Sequence, residues 1–163
     1  MMIDAFEFAR GSQEASGSVE VRDLRRLEVV ERGDRLEWEL AGSTDERGRP
    51  FLDLQVRGAV HLVCQRCLQP VRIETDLVAR FLLAASEAEA DAVPLEEDAF
   101  DVVVGAREFD VEGLIEDEVI LWLPLVPKHE RCPEPLPSTE DTTLGEGKVS
   151  PFAALGKMKK ERS

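Results

Sequence analysis

Phe51-Leu52-Asp53-Leu54-Gln55-Val56-Arg57-Gly58-Ala59-Val60-His61-Leu62-Val63-Cys64-Gln65-Arg66-Cys67-Leu68-Gln69-Pro70-Val71-Arg72-Ile73-Glu74-Thr75 is the stretch that decides the fold. Residues 51–63 predict one long strand, with Gly58 marking a bend rather than an end. Residues 68–83 predict a second, because Val71, Ile73 and Thr75 alternate with Arg72, Glu74 and Asp76. Only Cys64-Gln65-Arg66-Cys67 separates the two, so they form adjacent strands joined by a tight turn that carries two cysteines.

Outward from this hairpin, Leu36, Trp38 and Leu40 alternate with charged residues and predict a half-buried strand near 35–41. Residues 42–48 carry turn chemistry. Val111, Leu114, Ile115, Val119 and Trp122 recur at helical spacing, with Asp110 as N-cap and Pro124 and Pro127 as terminators. A helix near 111–123 follows. Ile3 to Ala9 reads as a short strand, 11–18 as a flexible loop, 19–30 as ambiguous, and 100–104 as a further short strand. The class is α+β, an antiparallel β-sheet meander packed by one main helix. Leu36, Trp38, Leu54, Val56, Leu62, Ile73, Leu114, Ile115 and Trp122 are the expected core. Residues 1–132 form a single domain. Residues 133–163 read as a disordered acidic and proline-rich tail, ending in a short basic amphipathic segment at 151–160.

The chain has 163 residues and a formal net charge of −14. The charge is uneven, −3 over residues 1–80 and −11 over 81–163. Ser86 to Asp101 holds seven acidic residues and no basic one, which reads as an exposed loop. Two candidate partner surfaces follow. Glu96, Glu97 and Asp98, with Glu112, Glu116 and Asp117 of the helix, would suit a basic protein. Arg22, Arg25 and Arg26 would suit RNA, although acidic residues interleave with them and a solvated mixed-charge face is the plainer reading. A strongly negative surface repels nucleic-acid phosphate and favours a basic protein. No segment is long and apolar enough to span a membrane. The N-terminus lacks the basic and apolar regions of a secretory signal, and the expected location is cytoplasmic.

The chain has three cysteines, which argues against a disulfide framework. Cys64 and Cys67 make a C-x-x-C pair, and His129 with Cys132 an H-x-x-C pair. Together they supply the four ligands of a closed structural zinc site, with donor atoms expected within about 4 Å of one another. The plain alternative is three ordinary cysteines and an unrelated histidine. A redox pair fits less well, since it wants a helix N-terminus to lower the thiol pKa. His61, in a strand, reads as a surface residue. Glu116, Asp117 and Glu118 are consecutive on a helix, point to different faces and make no catalytic dyad. No phosphate loop or nucleophile triad appears, so the chain reads as a non-enzyme. The competing reading is a zinc- or thiol-dependent enzyme, a nuclease or oxidoreductase using the C-x-x-C pair.

Three segments together resemble the YceD family, the large ribosomal RNA subunit accumulation proteins. They are Val60 to Val71 with its Cys64-Gln65-Arg66-Cys67-Leu68, the block Leu114 to His129, and Pro151-Phe152-Ala153-Ala154-Leu155 followed by lysines. The resemblance implies a ribosome-biogenesis factor that promotes synthesis, processing or accumulation of large-subunit rRNA. Its implied partner is precursor rRNA or a basic large-subunit ribosomal protein, and it implies no catalytic residues.

Overall fold

A computed structural model of the chain describes residues 1–27, 33–94 and 99–133. The chain divides into two units, Met1–Cys132 and Pro133–Ser163. Only Pro133 of the second unit is described, so the expected tail and its 151–160 segment lie outside the described residues.

Five strands make the main sheet: β2 (Glu14–Glu20), β3 (Arg35–Thr44), β4 (Pro50–Val63), β5 (Pro70–Ala84) and β6 (Asp101–Val104), in that spatial order. All pairings are antiparallel except β5 with β6, which is parallel and makes the sheet mixed at that edge. A small second sheet pairs β1 (Met2–Ile3) with β7 (Phe109–Asp110). Three α-helices, α1 (Ala5–Arg10), α2 (Glu87–Asp91) and α3 (Val111–Trp122), and a 3-10 turn at Val21–Asp23 complete the described fold.

The expected alternation is what builds the core. Trp38 pairs with Val56, which pairs with Leu77, and Leu40 pairs with Leu54, so one face of β3, β4 and β5 is apolar. All of these are buried, with Phe81 and Leu36 among the largest fully enclosed side chains. Helix α3 covers β5 with Val111, Leu114, Ile115 and Val119, while α1 covers β3 and β4 with Ala5, Phe8 and Ala9. Burying one large aliphatic or aromatic side chain contributes about 1.5–3 kcal/mol. Leu62 is also buried, and Ile73 is half-buried.

Several expectations need correction. Ile3 to Ala9 is not one strand: the strand stops at Ile3 and a helix starts at Ala5. Asp4 makes the switch, its carboxylate accepting the N–H groups of Phe6 at 3.1 Å and Glu7 at 3.0 Å. The stretch expected as a loop at 11–18 contributes most of β2, which is paired along its length with β3. Gly17 lies against the Trp38 ring, where a Cβ would come within 2.9 Å of a ring carbon. Strand β3 runs through Gly42 to Thr44, and the turn comes later, at Asp45–Arg49. There the Asp45 carboxylate accepts from the N–H groups of Arg47 and Arg49, and its hydrogen bond to the Arg49 side chain holds its pKa below the ordinary value. The expected acidic loop begins with α2, capped by Ser86. Trp122 is 51% exposed, although it shares the inward stripe by spacing. It is the last helical residue, and the buried face of α3 stops at Val119.

Candidate metal centre

The centre is built where the β4–β5 hairpin meets the strap that follows α3. Val63 pairs with Pro70, so residues 64–69 form the turn. Cys64 N–H donates to Gln69 O at 2.9 Å, Leu68 N–H to Cys64 O at 2.9 Å, and Leu68 adopts φ 62° to reverse the chain. Helix α3 ends as Leu123 leaves the helical region before Pro124. The strap then runs back along the turn, where Gln65 N–H donates to Pro127 O at 2.8 Å.

This return brings together Cys64, Cys67, His129 and Cys132, with one donor atom from each lying within 4.8 Å of all the others. Cys64 Sγ and Cys132 Sγ are 3.9 Å apart, and Cys67 Sγ is 3.4 Å from His129 Nδ1. Tetrahedral zinc with Zn–S of about 2.3 Å and Zn–N of about 2.0 Å needs S···S near ~3.8 Å and S···N near ~3.5 Å. Both measured distances meet this. The widest pair exceeds the ~4 Å expected for such a set and needs a contraction below about 1 Å. Cys64 and Cys67 are buried, while His129 and Cys132 are half-buried. The residues therefore fit a tetrahedral thiophilic ion.

The surrounding polar groups prepare the donors. His129 Nε2 lies 2.9 Å from Pro70 O. A carbonyl only accepts, so Nε2 carries the proton and the lone pair is on Nδ1, facing Cys67. His129 N–H points at Cys64 Sγ at 3.5 Å. Burial works against ionisation of Cys64, but the N–H groups of His129, Arg66 and Cys67 outweigh it, and the thiol pKa falls from 9.0 to about 5. Burial raises the Cys67 thiol, aided by the neighbouring Cys132 and Cys64 and opposed by Gln69 N–H. Cys132 raises the Arg66 guanidinium above its ordinary value through a direct hydrogen bond. Sequence reading missed Arg66, although a cation inside a C-x-x-C turn is itself a signal.

Arg26 pairs with the helix acids: its N–H and Nε donate to Glu116 at 2.6 Å and 3.0 Å, and its Nη lies 2.6 Å from Asp117. Glu112 receives the N-terminal amine at 2.9 Å. Arg22 pairs with Glu20 at 2.7 Å, and Arg25 is exposed. Glu96, Glu97 and Asp98 lie outside the described residues. His61, expected at the surface, is half-buried, its Nδ1 lying 2.9 Å from Asp34 Oδ1. Among the described residues no helix is long and apolar enough to cross a membrane.

A family model described as "Large ribosomal RNA subunit accumulation protein YceD" matches residues 52–159, a span that takes in all four donors. The chain is 33% identical over 115 residues to a Haemophilus influenzae protein of that same description, covering 63% of this chain and 61% of the relative. The chain thus spans less than two thirds of that relative's length. No solved structure matches.

Proposed function

The chain belongs to the YceD family of large ribosomal RNA subunit accumulation proteins, and from that premise we propose that it is a non-enzymatic ribosome-biogenesis factor whose Cys64–Cys67–His129–Cys132 cluster holds a structural zinc ion. The observation that carries this reading is the closed donor set. Four protein donors fill a tetrahedron, which leaves no position for a catalytic water and suits a structural role better than a nuclease or oxidoreductase. The ion would supply cross-linking. It would join the β4–β5 turn to the strap after α3, two segments that the hydrogen bonds of Gln65, Arg66 and His129 also hold together.

The strap and the turn present what a binding surface needs. Leu125 is fully exposed and Val126 and Leu68 are 51% and 61% exposed. Contiguous exposed apolar surface is characteristic of protein-interaction sites, and Leu125 and Val126 are neighbours on the strap. The acidic second half favours a basic large-subunit protein as the direct partner. Arg22 and Arg26 are already engaged by carboxylates, which argues against their forming an open phosphate-binding cluster.

The test is depletion of the protein in its host, with quantification of large-subunit precursor rRNA and particles. Precursors should accumulate or mature rRNA should fall, and the parent gene should restore both. A gene carrying Cys64→Ser and Cys67→Ser should restore them poorly. Unchanged large-subunit levels on depletion would defeat the ribosomal role. Full rescue by the double substitution would defeat the need for the metal centre.

A further inference from the structure

Arg66 bridges the two halves of the donor cluster. Its Nε donates to Cys132 Sγ at 3.0 Å, and one Nη donates to the carbonyl oxygens of His129 at 2.7 Å and Glu130 at 3.3 Å. A residue of the turn thus grips the strap at three acceptors, including the sulfur of the last donor in sequence. The other three donors have different anchors. The N–H groups of Arg66, Cys67 and His129 serve Cys64, that of Gln69 serves Cys67, and Pro70 O fixes the His129 ring. Cys132 is met by the Arg66 guanidinium and faces Cys64 at 3.9 Å.

Charge supports the same role. Three thiolates and a neutral imidazole around a dication leave one negative charge, and a guanidinium at hydrogen-bond distance offsets it. A planar fork can bind one sulfur and adjacent carbonyls together, as an ammonium cannot. We infer that Arg66 is a positioning residue of the metal centre, latching the 129–132 strap onto the turn and aiming the Cys132 sulfur at the ion. This rests on the zinc reading above.

The test uses the full chain, reduced and metal-stripped, with zinc titrated against a chromophoric chelator and cobalt(II) as spectroscopic probe. The parent should take up one equivalent. Arg66→Gln should weaken zinc affinity about 10–100-fold, the range for loss of a group that orients a ligand. Arg66→Lys, which keeps the charge without the fork, should fall between. The thiolate-to-cobalt charge-transfer intensity of Arg66→Gln should drop toward that of Cys132→Ala. In a Cys132→Ala background, adding Arg66→Gln should cost less than about threefold, because the two act as a unit. Parent-like affinity in both Arg66 variants would overturn the inference, as would an equal loss with and without Cys132. If Arg66→Gln does not fold, Arg66→Lys carries the comparison with the same criterion. Failure of the parent itself to bind zinc would defeat the zinc reading before any Arg66 variant is compared.

Discussion

Leu68 closes the ligand turn at φ 62°, a conformation that suits glycine or asparagine, and its side chain is 61% exposed. Replacing it with glycine should relieve about 1–2 kcal/mol of steric cost while adding about 0.4–1 kcal/mol of unfolded-chain entropy. Leu68→Gly should therefore leave stability by urea denaturation unchanged or raise it, by at most about 1.6 kcal/mol. A clear loss would mean the leucine side chain itself packs usefully. Glu118 is a different case. Burial raises its pKa above 4.5, and the carboxylates of Asp101 and Asp117 push the same way. The folded protein then binds this proton more tightly than the unfolded chain. The resulting penalty is absent below 4.5, where both forms are protonated, and grows as pH rises through the higher folded value. Glu118→Gln should raise the denaturation midpoint at neutral pH, and the gain should shrink as the pH is lowered toward 4.5. A gain independent of pH would point to something other than charge. At this scale the four donors were legible because thiols and imidazole at paired spacing announce a metal. Arg66 and the Pro70 carbonyl were not, since their roles depend on where the strap returns.

At the scale of elements, β3, β4, β5 and α3 were legible because each follows a period that its own residues carry. Helix α1 and strand β2 were not. Phe6 and Phe8 alternate as in a strand, yet Asp4 caps a helix, and β2 is rich in serine and glycine and owes its conformation to the β3 ladder. Helix α1 depends on Gly42, where a Cβ would sit 2.4 Å from Phe8 O and 2.7 Å from Ala9 Cα. Backbone cannot give way as a flexible side chain can. Gly42→Ala should therefore cost on the order of 1–3 kcal/mol or displace α1. Gly33→Ala, where a Cβ meets nothing within 4 Å, is the control and should be near neutral. Equal denaturation curves for the two would mean α1 does not pack closely on β3.

At the scale of the whole molecule, the four-donor cluster and the acidity make separate demands. If zinc cross-links turn and strap, chelation should expose the amides of Gln65 and His129 to hydrogen exchange while those of β3, β4 and β5 stay protected. Uniform loss of protection would make the ion a determinant of the entire fold, and no loss would make it dispensable. Binding of a basic partner to the acidic second half should weaken steeply with added salt. Reversing Glu96, Glu97 and Asp98 to lysine should weaken it more than alanine does, and salt-insensitive binding unaffected by reversal would exclude that patch. The pairing of Met2 with Asp110 and Ile3 with Phe109 has its own consequence for how the molecule is made. Translation proceeds at about 5–20 residues per second, so the first strand waits on the order of 5–20 s before its partner is even synthesised. Throughout that interval Met2 and Ile3 lack their strand partner, whereas Phe8 gains its β3 and β4 surface much earlier. Nascent-chain chaperones therefore have a longer opportunity at β1 than at the β3–β4 and β4–β5 hairpins, whose partners follow closely in sequence.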